Sequence, residues 1–177
     1  MTRGAFYHHF KSKDEVLEAL MTQLFLEAEL SSFDDILNNP KLNGLQRLRK
    51  IMMASLAQNI SSDEIIAITN LYSSLMNNPR VFLEKFKADL EMAKFFEGII
   101  AEGMADGSIK QGNAKLLSEL MMLLINFWMF PNLYSLDAQD EMEQKGELVV
   151  KILEALGLDV IDDEMGELYE KVMMQIM

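Results

Sequence analysis

The residues best suited to chemistry in this chain lie within its first thirteen positions. Arg3, Lys11 and Lys13 bring three positive charges there, Tyr7, His8 and His9 bring hydrogen-bonding rings, and no acid precedes Asp14. The whole chain carries −12, so residues 14–177 stand at −15, from 13 basic against 28 acidic side chains. A short cationic, aromatic end on an otherwise acidic protein is the asymmetry expected where one end meets a polyanion. Lys and Arg supply charge to a phosphate backbone, while Tyr and His supply neutral donors that hold the register. The small residues of Thr2-Arg3-Gly4 would let a helix come close to base edges, with Arg3 long enough to reach guanine.

Other chemistries are poorly served. There is no Cys, which removes thiolate nucleophiles, thiolate metal sites and disulfides and suits a reducing cytosol. The adjacent His8 and His9 do not make a helical carboxylate site, which wants Glu three residues before His; those positions are Ala5 and Phe6. His9 is expected to pack or cap. No H-E-x-x-H, G-x-S-x-G, G-x-x-x-x-G-K or G-x-G-x-x-G occurs. The acidic runs Asp34-Asp35 and Asp162-Asp163-Glu164 fall where helix ends are expected, so they cap and solvate. Neither a catalytic residue nor a metal or cofactor site is expected, and the chain is not read as an enzyme.

The stretch Thr2-Arg-Gly-Ala-Phe-Tyr-His-His-Phe10, followed by Lys11-Ser-Lys-Asp-Glu-Val-Leu17, resembles the recognition helix and the opening of the next helix in tetracycline-repressor-like (TetR) regulators. That family reads x-[ST]-[KR]-G-x-[LF]-Y-x-[HY]-F, with a Lys at the start of the following helix. The resemblance implies that Thr2, Arg3 and Gly4 face bases, that Tyr7 and His8 hold phosphates, and that Lys13 adds one more phosphate contact. Residues 1–11 are then the remnant of a helix-turn-helix unit. Residues 12–177 would be a helical effector-binding and dimerisation domain, with 12–37 as its connector helix. Family members carry two further helices ahead of this point, one of which crosses the DNA backbone and props the recognition helix. A helix this short is unstable alone. As written, the chain is therefore expected to bind DNA poorly or not at all, through a start assigned too late or a deletion.

The elements that must position this end read as all-α. Half of the chain is hydrophobic, with only three Pro and nine Gly. Ser12-Lys-Asp-Glu15 is a capping box for a first helix that Asn38, Asn39 and Pro40 end after Leu37. Helices are expected over 44–60, 62–76, 79–105, 114–130, 138–156 and 163–176, seven in all. In the second, Leu45, Leu48, Met52 and Leu56 face inward while Arg47, Arg49 and Lys50 face out. The helix from Pro79 carries Phe82, Phe86, Leu90, Ala93, Phe96 and Ile100 at helical spacing. Asn113 and either Asp162 or Asp163 read as N-caps, and Gly157 as a stop. Glu102-Gly-Met-Ala-Asp-Gly-Ser-Ile109 is similar to a turn that precedes the dimer-forming helices of the family, although many helical hairpins end this way. The longest apolar run, 120–130, is broken only by Asn126. It is far short of the roughly 20 residues that span a bilayer, and no signal peptide is visible, so a cytoplasmic protein off the membrane is expected.

The 15 Met and 10 Phe recur at helical spacing, which is first of all core. Met also re-packs readily, so Met and Phe together can leave an adaptable cavity. The resemblance places an effector pocket within residues 44–135. Its expected lining is Met52, Leu56, Tyr72 and Met76, then Phe86 and Phe96 from the helix that starts at Pro79. Met122, Asn126, Phe127 and Phe130 follow from the next helix. Tyr72 and Asn126 are the polar handles, although Asn126 also suits a cross-link between two helices of a dimer. No basic residue stands among these inward positions, which favours a neutral or cationic, largely apolar effector. The 114–130 helix is apolar almost all round, so one molecule's core cannot face all of it. Paired with the helix around 142–156 it would form a four-helix bundle in a homodimer. Trp128 is then an interface anchor or a pocket wall. The expected function is a ligand-responsive regulator, a repressor in the first instance, binding operator DNA as a dimer and released by an apolar small molecule. The alternative is a truncated dimerising or ligand-sequestering module that pairs with a full-length relative without binding DNA.

Overall fold

A computed structural model describes residues 12, 15–16, 33–58, 79–129 and 139–176, and among them the regular structure is entirely helical. In chain order the elements are α1 (Asp34–Leu37), α2 (Gly44–Gln58), α3 (Pro79–Asp106), α4 (Ala114–Leu123), α5 (Gln139–Ala155) and α6 (Asp163–Ile176). Residues 1–11, most of the connector helix expected over 12–37 (13, 14 and 17–32) and the helix expected over 62–76 lie outside the described residues.

The helix boundaries follow local chemistry. Ser12 Oγ accepts from Glu15 N at 3.1 Å, as its capping box requires. The side chain of Asn113 accepts from Leu116 N at 3.1 Å and opens α4. Asp162 Oδ1 accepts from Met165 N at 3.0 Å, so Asp162 rather than Asp163 caps α6. Helix α5 ends in a Schellman turn. Gly157, at φ +83°, donates to Glu154 O at 2.8 Å, and Leu158 N donates to Leu153 O at 2.8 Å. Leu153 and Leu158, both fully buried, close the apolar contact that accompanies such a turn.

At 28 residues α3 is the longest element, about 42 Å at 1.5 Å per residue. It packs along α2 on one side and α4 on the other. The core joins Leu48 and Ile51 of α2 to Met92, Ala93, Phe96, Ile99 and Ile100 of α3, with Met121 and Met122 of α4 and Val149 and Leu153 of α5. Arg47 and Arg49 are half-buried clamps, not the outward residues the sequence pattern implied. Arg47 pairs with Glu102 at 2.6 Å. Arg49 pairs with Asp159 at 2.9 Å and also donates to the Asp159 carbonyl at 2.8 Å, holding the α5–α6 link against α2.

The α2–α3 contact is unusually close. A Cβ built on Gly44 would stand 2.3 Å from the Cα and N of Gly103, and one on Gly103 would meet Ile109 at 2.6 Å. The start of α2 is capped from across this contact. Asp106 Oδ2 accepts from Gly44 N at 2.7 Å, and Ser108 Oγ accepts from Leu45 N at 3.1 Å. Asn43 and Gln46 add a reciprocal pair at 2.9 and 3.1 Å. The Ser108 hydroxyl, the Gly44 N–H and the Ser108 N–H hold the Asp106 carboxyl below its ordinary range.

Gly44→Ala should lower stability by about 3 kcal/mol through overpacking of this contact. Gly98, in the exposed middle of α3 with open space around its Cα, is the control: Gly98→Ala should raise stability by about 0.5–1 kcal/mol. Urea unfolding of the two variants measures both.

Candidate functional site

Helix α4 does not run on as an α-helix to residue 130. Its last turn, Leu124–Trp128, is a π-helix, closed by Met129 N donating to Leu124 O at 3.1 Å. A π turn holds one more residue than an α turn and so re-aims the side chains on it. Here Asn126 and Phe127 meet α3, while Trp128 lies at the surface. The far end of the turn is pinned by Tyr169 of α6, whose hydroxyl donates to the Met129 carbonyl at 3.0 Å. Burial pushes the Tyr169 phenol well above its usual value, so it stays protonated and remains a donor.

Opposite the π turn, α3 presents an ion pair where an apolar stripe would be expected. Lys85 and Asp89, one helical turn apart, are 4% and 8% exposed. Asp89 Oδ1 accepts from Lys85 Nζ and, at 3.1 Å, from Asn126 Nδ2. Burial is the largest influence on Asp89 and pushes its carboxyl above the usual range, against the opposing pull of the Lys85 ammonium and the Asn126 amide. Aromatic rings border the pair. Phe127 stands edge-on to Phe82 at 5.7 Å and to Phe86 at 5.6 Å, and Lys85 Nζ lies 5.7 Å from its ring centroid. On the outer side Lys145 Nζ lies 5.4 Å from the Trp128 ring and 3.5 Å from Glu141.

Of the expected pocket residues, the structure brings Phe86, Asn126 and Phe127 together. Asn126 is a cross-link within the chain, between the π turn and α3. Phe96 and Met122 are buried in the core. Met52 packs on the rim of that core and Leu56 is half-buried. Tyr72, Met76 and Phe130 lie outside the described residues, as do Thr2, Arg3, Gly4, Tyr7, His8 and Lys13. The expectation that no basic residue points inward is corrected by Lys85. Phe82, expected inside, is 37% exposed, because the inward stripe of α3 starts from Lys85 and Asp89. Those two residues escaped the sequence reading. Their i,i+4 spacing between Phe82, Phe86 and Met92 was the available signal.

A polar cluster of this kind can orient a bound molecule, and no metal-holding group of three His, Cys, Asp or Glu occurs among the described residues. No family model matches the chain, and no curated protein matches it.

Removing one member of a buried pair leaves the other charge without compensation. Lys85→Met should therefore cost about 3 kcal/mol, and adding Asp89→Leu should recover a large part of that loss. In Lys85→Met, burial raises the folded-state pKa of Asp89 above its unfolded value. Stability from this group is then complete below an unfolded pKa of about 3.9 and is lost as pH rises through the folded pKa. The single variant should fall further behind wild type between mildly acidic and neutral pH, and the double variant should not. Urea unfolding across that range checks both.

Proposed function

We propose that the chain is the effector-binding and dimerising part of a ligand-responsive, TetR-like transcriptional regulator, a cytoplasmic repressor that binds operator DNA as a homodimer through the helix-turn-helix unit of which residues 1–11 are a remnant. The observation that carries this reading is the cationic opening, with Thr2-Arg3-Gly4, Tyr7 and His8 in recognition-helix spacing and Lys13 beside the Ser12 cap of the next helix. Two features of the body support it. The helical core contains a polar handle, Asn126 on Asp89, beside Phe86 and Phe127, which suits an effector with an apolar body. Helices α4 and α5 also leave apolar side chains in solvent: Leu116 is 59% exposed and Leu148 46%, with Leu123, Trp128 and Leu156 similarly placed. A second copy would cover them. Among the described residues no helix is long and apolar enough to cross a membrane.

In this reading the effector binds one of two conformations better, since equal affinity for both would shift nothing. The 12–37 segment carries the change to the DNA-reading end. Two such ends roughly 34 Å apart match successive major-groove turns, and the shift would spoil that spacing. Catalysis forms no part of the proposal.

A second reading keeps the body and drops the DNA. The exposed stripes on α4 and α5 would then pair with a full-length relative, giving a dimerising or ligand-sequestering module.

Two measurements test these readings. The product of the full reading frame should bind DNA flanking its own gene with a steep salt dependence. Arg3→Ala should abolish sequence discrimination, while Lys13→Ala should weaken all sequences alike and lower the salt slope by about one. Anisotropy titrations that find no preference for any flanking sequence would remove the regulator reading. Sedimentation should give a dimer that the double variant Leu116→Glu, Leu148→Glu converts to a folded monomer. A monomeric wild type would remove both readings.

A further inference from the structure

The sequence has one Asn-Gly step, Asn43-Gly44, and one Asp-Gly step, Asp106-Gly107. The fold brings them together: Asp106 Oδ2 accepts from the Gly44 N–H at 2.7 Å across 62 residues of chain. The two steps share a chemistry. A glycine has no side chain to keep its nitrogen from the carbonyl carbon of the preceding side chain, so a five-membered imide can close. Asp106 is poorly suited to that reaction, because hydrogen bonds hold its carboxyl below the ordinary range and an ionised carboxylate offers no leaving group. Asn43 has one, its amide nitrogen. Asn43 is exposed, while Gly44 is buried against Gly103.

In the folded chain both reacting partners are engaged. Asn43 Oδ1 accepts from Gln46 N at 2.9 Å, and the Asn43 carbonyl accepts from Arg47 N at 3.0 Å, which fixes the backbone at the opening of α2. The attacking atom would be the Gly44 nitrogen, whose proton points at the Asp106 carboxylate. Removing that proton would set a second negative charge against the first. We infer that Asn43 is a gated deamidation site, silent while α2 is docked on α3 and reactive once Asp106 releases the Gly44 N–H. Hydroxide then takes the Gly44 proton and the nitrogen bonds to Asn43 Cγ. The Cγ–Nδ2 bond breaks, and the amide leaves as ammonia after taking a proton from water. A second water opens the imide. Addition at Cγ gives aspartate, and addition at the main-chain carbonyl carbon gives isoaspartate, whose main chain runs through Cβ and Cγ and is one carbon longer. Aspartate caps a helix as well as asparagine does. Isoaspartate puts its extra methylene beside a contact that has no room even for a Cβ, which would stand 2.3 Å from Gly103. The reaction therefore turns a passing separation of α2 from α3 into a permanent one.

The test ages the full chain at mildly alkaline pH and follows the peptide that contains Asn43 by mass spectrometry. Conversion of an amide to an acid raises its mass, whereas isomerisation at Asp106-Gly107 would not. Folded wild type should convert at least about tenfold more slowly than the same chain in denaturing urea, because only the open fraction reacts. Asp106→Ala, with folding checked by circular dichroism, should convert about tenfold faster than wild type, the effect of one lost hydrogen bond to a charged acceptor on that open fraction. Ser108→Ala, which leaves the Asp106 carboxylate in place, is the milder variant and should fall between the two. Chains aged in urea and returned to buffer should separate into two populations. Those with asparagine or aspartate should unfold at the wild-type urea concentration, as should Asn43→Asp made directly, and those with isoaspartate should unfold at a lower one. Equal rates for folded and unfolded wild type would overturn the proposal. So would wild-type rates in both folded variants, or isoaspartyl chains as stable as the rest.

Discussion

The body of this protein depends on one close approach between backbones, that of Gly44 at the start of α2 and Gly103 near the end of α3. Neither position has room for a Cβ. With the two backbone segments this near, the last turn of α3 and the residues just after it reach the free amides that open α2. Asp106 and Ser108 supply acceptors that a helix start otherwise takes from its own cap or from water. Ile109 folds back over Gly103, its N–H donating to the Gly103 carbonyl at 2.9 Å, and is itself buried. The direction of α3 is thereby fixed at its C-terminal end, and Arg47 on Glu102 reinforces it. Fourteen residues before Gly103, about 21 Å along the helix axis, the same α3 carries Asp89 towards the π turn.

The two ends of α3 are held by different physics. Around Ile99 and Ile100 the contacts are apolar and stabilise by burial, at roughly 25 cal/mol per Å2 of apolar surface. Around Lys85 and Asp89 the helix buries charge. Ion pairs in such places seldom contribute net stability, because the desolvation of two ions offsets their attraction. The pair is better understood as directional. The π turn sets residues 126 and 127 against α3, and Asn126 there donates to the same Asp89 oxygen that accepts from Lys85.

Much of the helical framework was legible in the sequence because its signals are local. Ser12, Asn113 and Asp162 each cap within three residues of themselves, the 38–40 run ends α1, and Gly157 marks its stop through a positive φ. Local signals account less well for contacts made across the chain. The Glu102 to Ile109 turn read as a common hairpin ending, yet its Gly, Asp and Ser serve α2 sixty residues earlier. A lone stretch cannot show that partner. Lys85 and Asp89 drew no notice because charged residues usually face out, and only packing reveals that they continue the stripe of Met92, Ala93 and Phe96. The π turn had no signal at all, since five-residue closure leaves no mark in apolar spacing and Leu124–Trp128 would pass as ordinary helix. Asn126 was picked out as a polar break in an apolar run, and the partner it meets, Asp89, lies in its own chain.

The π turn joins an interior contact to an exterior one. Asn126 faces Asp89, and two residues later Trp128 stands at the surface beside Lys145. Tyr169 grips the next carbonyl, that of Met129, so the downstream end of the turn is tied to α6 while the upstream end continues from α4. A widened turn anchored at both ends has few ways to respond to a change at Asn126. Asn126 inside and Trp128 outside therefore belong to one rigidly tied turn. Under the proposed reading, an effector that met Asn126 would act two residues from Trp128, on the side where Leu116 and Leu123 stand exposed.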